Sequence, residues 1–143
     1  MEFCAKFFDE LTTAELYEIV RARTEVFLME QKIICRDFDG EDYKCLHCFL
    51  TKDGKVLAYL RAFKKDDCTV KIGRVLSVKH GEGLGRELMQ QATLAIKEKL
   101  NCNKIVLHAQ KHAQGFYEKL GYKTTSPDFL EEGIPHIAME RTV

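Results

Sequence analysis

A mixed sheet flanked by helices, α/β or α+β in class, is the fold that this sequence predicts, and three observations predict it. Strand-like runs between residues 46 and 78 are joined by short turns, as in an antiparallel meander. The last of them stops in a glycine turn that opens a helical pattern at 84–100, and a further apolar run follows at 104–109. A strand, a crossover helix and a second strand place those two strands parallel in one sheet. One capped helical pattern precedes the meander and a shorter one follows the crossover. The order is therefore β-α-βββ-α-β-α-β-β in a single domain over residues 1–143.

Residues 3–8 are aromatic-rich and read as a first strand. Thr12 and Glu15 form a capping-box pattern, so a helix starts near Thr13. Its apolar stripe is Leu16, Ile19, Val20, Val26 and Phe27, and Arg23 falls on that stripe with Glu30 three residues past Phe27. Two readings of this polar pair stand: a helix edge whose charges are paired or reach water along their stems, or a pair facing a cleft. Residues 35–43 (CRDFDGEDY) form an acidic, turn-rich loop. Its D-x-D-G lacks the terminal glutamate of a calcium loop, since the twelfth position from Asp37 is Cys48.

Residues 45–52 alternate as a strand, Asp53-Gly54 is a hairpin turn of type I′, and 56–63 is the return strand. Asp66-Asp67 turns the chain into the third strand at 69–78. Leu84, Leu88, Ala92, Ile96 and Leu100 lie on one slowly drifting stripe of the next helix, which ends at Asn101-Cys102-Asn103. Residues 112–120 form a second helix stopped by Gly121. Strands at 122–125 and 137–141 complete the set, with turns at Ser126-Pro127-Asp128 and Gly133-Ile134-Pro135.

Equal numbers of Lys+Arg and Asp+Glu, 22 each, give no basic excess for nucleic acid. No apolar run approaches the ~18 residues of a membrane span, and the N-terminus is too short and acidic for an export signal. We therefore expect a cytoplasmic protein whose six scattered cysteines are reduced thiols. Cys45-Leu46-His47-Cys48 is not a zinc pair, because on a strand Cys45 and His47 face away from Cys48. No metal is expected, and no cysteine marks itself as a covalent nucleophile.

The stretch VKIGRVLSVKHGEGLGREL at 70–88 carries the functional signal. A strand ending in a glycine turn at a helix start offers free backbone N–H groups to an anion, usually a phosphate. A Walker A loop requires Gly-Lys-Ser/Thr, which this chain lacks. A dinucleotide fingerprint requires a third glycine and an acid on the next strand, and here Arg86 or Leu88 and His108-Ala109 stand instead. What remains is a diphosphate cradle that needs no metal.

H-G-E-G-L-G at 80–85 resembles the pyrophosphate loop of the GNAT N-acetyltransferases, and G-F-Y-E-K-L-G-Y at 115–122 resembles their second signature. The two occur in the correct order, one strand apart. R-T-E-V-F-L-M-E-Q at 23–31, D-F-D-G-E-D at 37–42, G-R-V at 73–75 and E-G-I-P-H-I-A-M at 132–139 are similar to the ElaA-like subfamily. Two positions depart from the family pattern. His80 stands where the loop begins with Arg or Gln, and Gln110 where Asp or Asn often follows the parallel strand.

The resemblance implies a GNAT acyl-CoA N-acyltransferase fold, its sheet splayed between the two parallel strands, with acetyl-CoA in the gap as cosubstrate. The pyrophosphate would rest on His80, Gly81, Gly83, Leu84, Gly85 and Arg86, and the pantetheine arm along Leu76, Ser77 and Val78, with Gln110, Phe116 and Tyr117 beside it. An amine acceptor, small molecule or peptide, would attack the thioester directly, with a backbone N–H near Leu76 holding the oxyanion. Tyr117 would protonate the departing thiolate, although a tyrosine beside Phe116 also reads as a core residue. Candidate bases are Glu30, the first choice because it ends the first helix beside the acidic loop, and His108, Glu132 and His136. A non-catalytic acyl-CoA-binding or sensor module is the alternative, and an ordinary nucleotide-binding protein a third class. The acidic loop suggests a cationic amine, or is simply solvated. Monomer and homodimer are both open.

Overall fold

The computed structural model describes residues 1–143. Its strands are β1 (Glu2–Phe7), β2 (Leu46–Lys52), β3 (Lys55–Lys64), β4 (Thr69–Ser77), β5 (Lys104–Gln110), β6 (Lys123–Thr124), β7 (Phe129–Glu131) and β8 (Ile134–Thr142), and its helices α1 (Thr13–Arg23), α2 (Leu84–Leu100) and α3 (Gln114–Lys119). The sheet order is β1-β2-β3-β4-β5-β8-β6, with β7 added on β8. All neighbours are antiparallel except β4 and β5. This is the mixed sheet between helices that the sequence predicts, with its one parallel pair where the crossover helix places it.

Strand alternation divides the core. One face of the sheet carries Leu46, Cys48, Leu50, Ala58, Leu60, Ala62, Val70 and Ile72, against which α2 lays Leu84, Leu88, Met89, Ala92 and Ile96. The opposite face carries Phe49, Val56, Tyr59 and Leu76 beneath Ile19, Ala22 and Val26 of the first helix. Every one of these side chains is buried, and burial of each Val, Leu, Ile, Phe or Met among them contributes ~1.5–3 kcal/mol. The capping box closes at both ends: Thr12 Oγ1 accepts from Glu15 N–H, and Glu15 Oε1 from Thr12 N–H. α2 begins and ends where its stripe does, at Leu84 and Leu100. Gly121 and Tyr122 donate back to the carbonyls of Glu118 and Tyr117 in a Schellman turn that stops α3.

Two local features depart from the sequence expectation. The first helix widens into a π-helical segment, Thr24–Glu30. A π turn rotates less per residue than an α turn, so the face shared by Arg23 and Phe27 has turned away by Glu30. Arg23 is buried whereas Glu30 is exposed. Glu30 is the last residue of that segment, as expected, but its side chain is exposed and is taken by His80 of the glycine turn. At the C-terminus the turn is Glu132-Gly133, both at positive φ, and Ile134 and Pro135 belong to β8. The three-residue strand β7 was too short to show a period.

The acidic loop is fixed, not solvated. Arg23 Nη1 donates to Asp42 Oδ1 at 2.6 Å and Nε to Asp37 Oδ2 at 3.0 Å. Arg61 pairs with both oxygens of Asp39, at 2.9 and 2.8 Å, and reaches Asp42 at 3.1 Å. Arg74 stands 2.7 Å from Asp37. His47 is held in the same corner. Its Nε2 donates to the Asp42 carbonyl at 2.9 Å, so Nδ1 accepts from the Tyr59 hydroxyl at 2.7 Å, and burial keeps the ring neutral. With its three aspartates each taken by a guanidinium and Glu41 paired with Lys44, the loop is no free cation trap and gives no support to a cationic amine.

The hydrogen bond from Arg61 holds the Asp39 carboxyl far below the usual carboxylate range. Burial opposes the same shift at Asp42, but its bond and charge partner Arg23 prevails and lowers it. Both groups bind protons more weakly folded than unfolded. The stability they contribute is therefore complete above about pH 4 and drains as pH falls through their folded values. Asp39→Asn should destabilise the fold by about 2 kcal/mol at pH 7, since it leaves Arg61 short of its partner in a partly exposed pair. The decisive measurement is melting temperature against pH. The variant should show a shallower fall below pH 4 than the parent, and an equal slope would dissociate Asp39 from acid unfolding.

Candidate active site

The gap between β4 and β5 arises from a counting mismatch. The two strands pair only over Thr69–Lys71 and Lys104–Val106. Just beyond, the β3–β4 register slips, because Arg74 and Val75 together face Leu60. This is a β-bulge, with Arg74 at φ 55°. The extra residue reverses the strand's alternation, so that Val75 packs with the α2 side and Leu76 with the α1 side. It also bends β4 away from β5 and leaves β4's inner edge open. The result is a cleft of about 600 Å³ whose walls include Phe27, Gly73, Val75, Leu107, His108 and Tyr117.

The open edge can be assigned. Val78 N–H donates to Leu57 O, and Leu76 pairs with Tyr59 two residues earlier. By the two-residue alternation, Leu76 N–H also faces β3, while the backbone groups of Val75 and Ser77 face the gap. Of the backbone groups near Leu76, those of Val75 and Ser77 are therefore the ones available in the gap.

At the upper end of β4 the glycine turn becomes the start of α2. Gly83 is the N-cap at φ 73°, and the first helical bond runs from Glu87 N–H to Gly83 O. The N–H groups of Leu84, Gly85 and Arg86 therefore lack helical partners and, with the helix dipole, form a cradle for an anion. Gly85 has a second function. A Cβ there would stand 3.3 Å from Phe116 Cζ, so a larger residue would have to push the ring aside for α3 to lie against the first turn of α2. Tyr117 follows Phe116 and projects into the cleft at 7% exposure. Burial pushes its phenol well above the ordinary value, which keeps the proton on oxygen.

The other predicted residues distribute around this frame. His80 lies on the exposed outer side of the glycine turn, where its Nε2 meets Glu30 Oε1 at 2.6 Å. Glu30 thus joins the anion end and does not line the cleft. Gln110 accepts from His112 Nε2 at 2.7 Å and donates to Gln31 at 3.1 Å, bridging the end of β5 to the segment after the first helix. His108, Glu132 and His136 all line the cleft. Glu131, which the sequence did not single out, stands between the two histidines, and Arg61 and Arg74 form the floor with their aspartates. A charge count along the chain would have exposed the second group: three arginines on apolar elements face a loop with three aspartates. In the Cys45–Cys48 run both nitrogens of His47 are occupied, and burial pushes the two thiols up, to about 11 and about 12.

Comparison with known proteins agrees with this geometry. Residues 13–143 match the family model described as an acetyltransferase (GNAT) domain. A UPF0039 protein of Schizosaccharomyces pombe is 41% identical, the match covering 97% of this chain and 95% of the relative. Protein ElaA of Escherichia coli is 34% identical over 94% of this chain and 92% of its own. Among solved structures, an acyl-CoA N-acyltransferase from Pseudomonas aeruginosa superposes with a TM-score of 0.90 at 37% identity, covering 99% of this chain and 100% of its own. The crystal structure of E. coli ElaA gives 0.89 at 32% identity, with 98% of each chain covered.

Gly83→Ala should test the cradle directly. Alanine in a left-handed conformation costs about 1–2 kcal/mol, and its side chain has open space around it. We expect a lower melting temperature together with weaker binding of coenzyme A, the probe that carries a diphosphate, by calorimetry. An unchanged melting temperature would show that the N-cap is not held in the left-handed region.

Proposed function

The chain belongs to the GNAT acetyltransferase family, and on that footing we propose that it is an N-acetyltransferase moving the acetyl group of acetyl-CoA to a primary amine. The acceptor is a small molecule or a peptide. One observation carries this reading: an open strand edge runs from a metal-free anion cradle to a buried tyrosine. The components of acetyl-CoA fit that line in order. Its diphosphate suits the N–H groups of residues 84–86, and its pantetheine amides suit the unpaired backbone groups of Val75 and Ser77. The thioester end then falls beside Tyr117.

Chemistry follows by direct attack. The free amine's lone pair forms a C–N bond to the thioester carbonyl carbon. The resulting oxyanion is stabilised by a backbone N–H on the open edge of β4. Collapse breaks the C–S bond, the nitrogen releases its surplus proton, and the thiolate takes the proton of the Tyr117 phenol, which solvent restores. Burial keeps the Tyr117 phenol protonated but makes it a weaker acid, so the transfer is driven by the thiolate charge that develops beside it.

A second reading, a non-catalytic acyl-CoA-binding or sensor module, draws support from the two departures in the motif. His80 is already engaged by Glu30, and Gln110 by Gln31 and His112. Release of free thiol from acetyl-CoA against polyamines, aminosugars, amino acids and peptides separates the two. Turnover with any amine supports transfer, whereas binding of acetyl-CoA without turnover supports the module.

Two substitutions refine the assignment. Tyr117→Phe should lower kcat at least ~10-fold with little change in coenzyme affinity, and undiminished turnover would remove Tyr117 from the mechanism. His80→Arg should tighten coenzyme A binding in calorimetry. A looser complex would mean that position 80 does not face the diphosphate.

A further inference from the structure

Register places an unassigned array on the face of the sheet that α2 leaves uncovered. Ile105, Leu107 and Ala109 of β5 point into the α2-side core, as do Ile137 and Met139 of β8. Alternation therefore turns His108 and Gln110, with their ladder partners Ala138 and His136, toward the cleft. The β7–β8 hairpin adds Phe129, opposite His136, and Glu131, opposite Ile134, to the same face. Two histidines and a carboxylate from three strands thus converge where no other part of the fold requires them.

Their hydrogen bonds have a direction. Glu131 Oε1 lies 2.9 Å from His108 Nδ1. An ionised carboxylate only accepts, so Nδ1 carries the hydrogen and Nε2 keeps its lone pair. His136 is oriented differently. Its Nδ1 donates to the Ile134 carbonyl at 2.7 Å, and its Nε2 stands 3.6 Å from Glu131 Oε2, beyond hydrogen-bond reach. The short contact of the carboxylate is therefore the one to His108. Phe129 meets His108 edge-on at 5.1 Å and stacks on His136 at 6.2 Å, packing against both rings. Ala138, the residue paired with His108 across the ladder, adds only a methyl group.

We propose that His108 is the base of the transfer reaction and that Glu131 is its positioning residue. The inference rests on the acyl-transfer reading above and names the group that the reading left open. The acceptor arrives mostly as R–NH₃⁺. His108 Nε2 takes one of its protons, which gives R–NH₂ and an imidazolium held by Glu131, and the imidazolium returns that proton to solvent. The amine lone pair then attacks. In the full reaction nitrogen loses two protons and sulfur gains one, so one proton leaves with each turnover. Charged and titratable groups sharing the cleft with His108 are Glu131 and Glu132 of the hairpin, His136 of β8, His112 beyond β5, Tyr117 of α3, Lys71 and Arg74 of β4, and Cys35, Arg36 and Glu41 of the acidic loop, besides the paired arginine–aspartate floor.

The test uses His108→Gln and Glu131→Gln in the whole chain, with melting temperature and acetyl-CoA affinity as controls for folding and binding. The acceptor is the primary amine with the highest wild-type turnover in the thiol-release panel. At pH 7 we expect His108→Gln to lose on the order of 100-fold in kcat/KM for the amine, and Glu131→Gln about 10-fold. At pH 9.5, where the free amine is abundant, both deficits should shrink to within about threefold. A purely structural role would leave equal deficits at both values. Nitrogen-15 spectra of the imidazoles supply a readout that needs no turnover: the Nδ1–H form of His108 should dominate in the wild type and give way to a mixture in Glu131→Gln. An active wild type whose His108→Gln variant keeps its full rate at pH 7 overturns the base assignment and leaves acetyl transfer intact. A wild type that turns over no amine ends the acetyl-transfer reading itself, and a His108 found as the Nε2–H form overturns the array whatever the activity.

Discussion

Three guanidinium groups inside the protein govern much of its shape. Arg23, Arg61 and Arg74 come from a helix and two strands, and their side chains are buried or half-buried. A buried cation without a partner would cost several kcal/mol. The loop at 35–43 supplies Asp37, Asp39 and Asp42 and has no comparable alternative use for them. The loop is therefore tied down at three points and forms the floor of the cleft, although it contains no regular structure beyond a short turn at Glu41–Lys44. The rigidity of this wall comes from electrostatics, with Tyr59 and His47 completing the hydrogen-bond account behind it.

The opposite constraint acts on the other side of the cleft. There the chain opens a space by failing to pair. One surplus residue at Arg74 inverts the alternation of β4, and the inversion is tolerated because it brings Val75 and Leu76 each to an apolar side. A strand that served only the core would have no reason to leave its edge amides unpaired. Bulge, glycine turn and helix start follow one another within fifteen residues, which explains why so short a stretch of sequence carried so much functional information.

Local devices were legible and contacts between distant segments were not. The Thr12–Glu15 box, the Asp53-Gly54 turn, the stripe from Leu84 to Leu100 and the stop at Gly121 each depend on residues within a turn or two of one another. The parallel pairing of β4 and β5 followed from crossover geometry, and the motif resemblance supplied the coenzyme end. Glu131 was missed because a carboxylate on a three-residue strand has no periodic signature, and its meaning comes from His108, twenty-three residues earlier. Glu30 was misplaced for a different reason. A periodicity of 3.6 was extended through a segment that the structure winds more widely, so the computed face was wrong by the end of the helix.

The contact between Gly85 and Phe116 has a mechanical consequence. A Cβ at position 85 would press on the Phe116 ring, so a larger residue there pushes on the short helix that carries Tyr117. A substitution in the first turn of α2 therefore reaches the other end of the cleft through packing, without touching it.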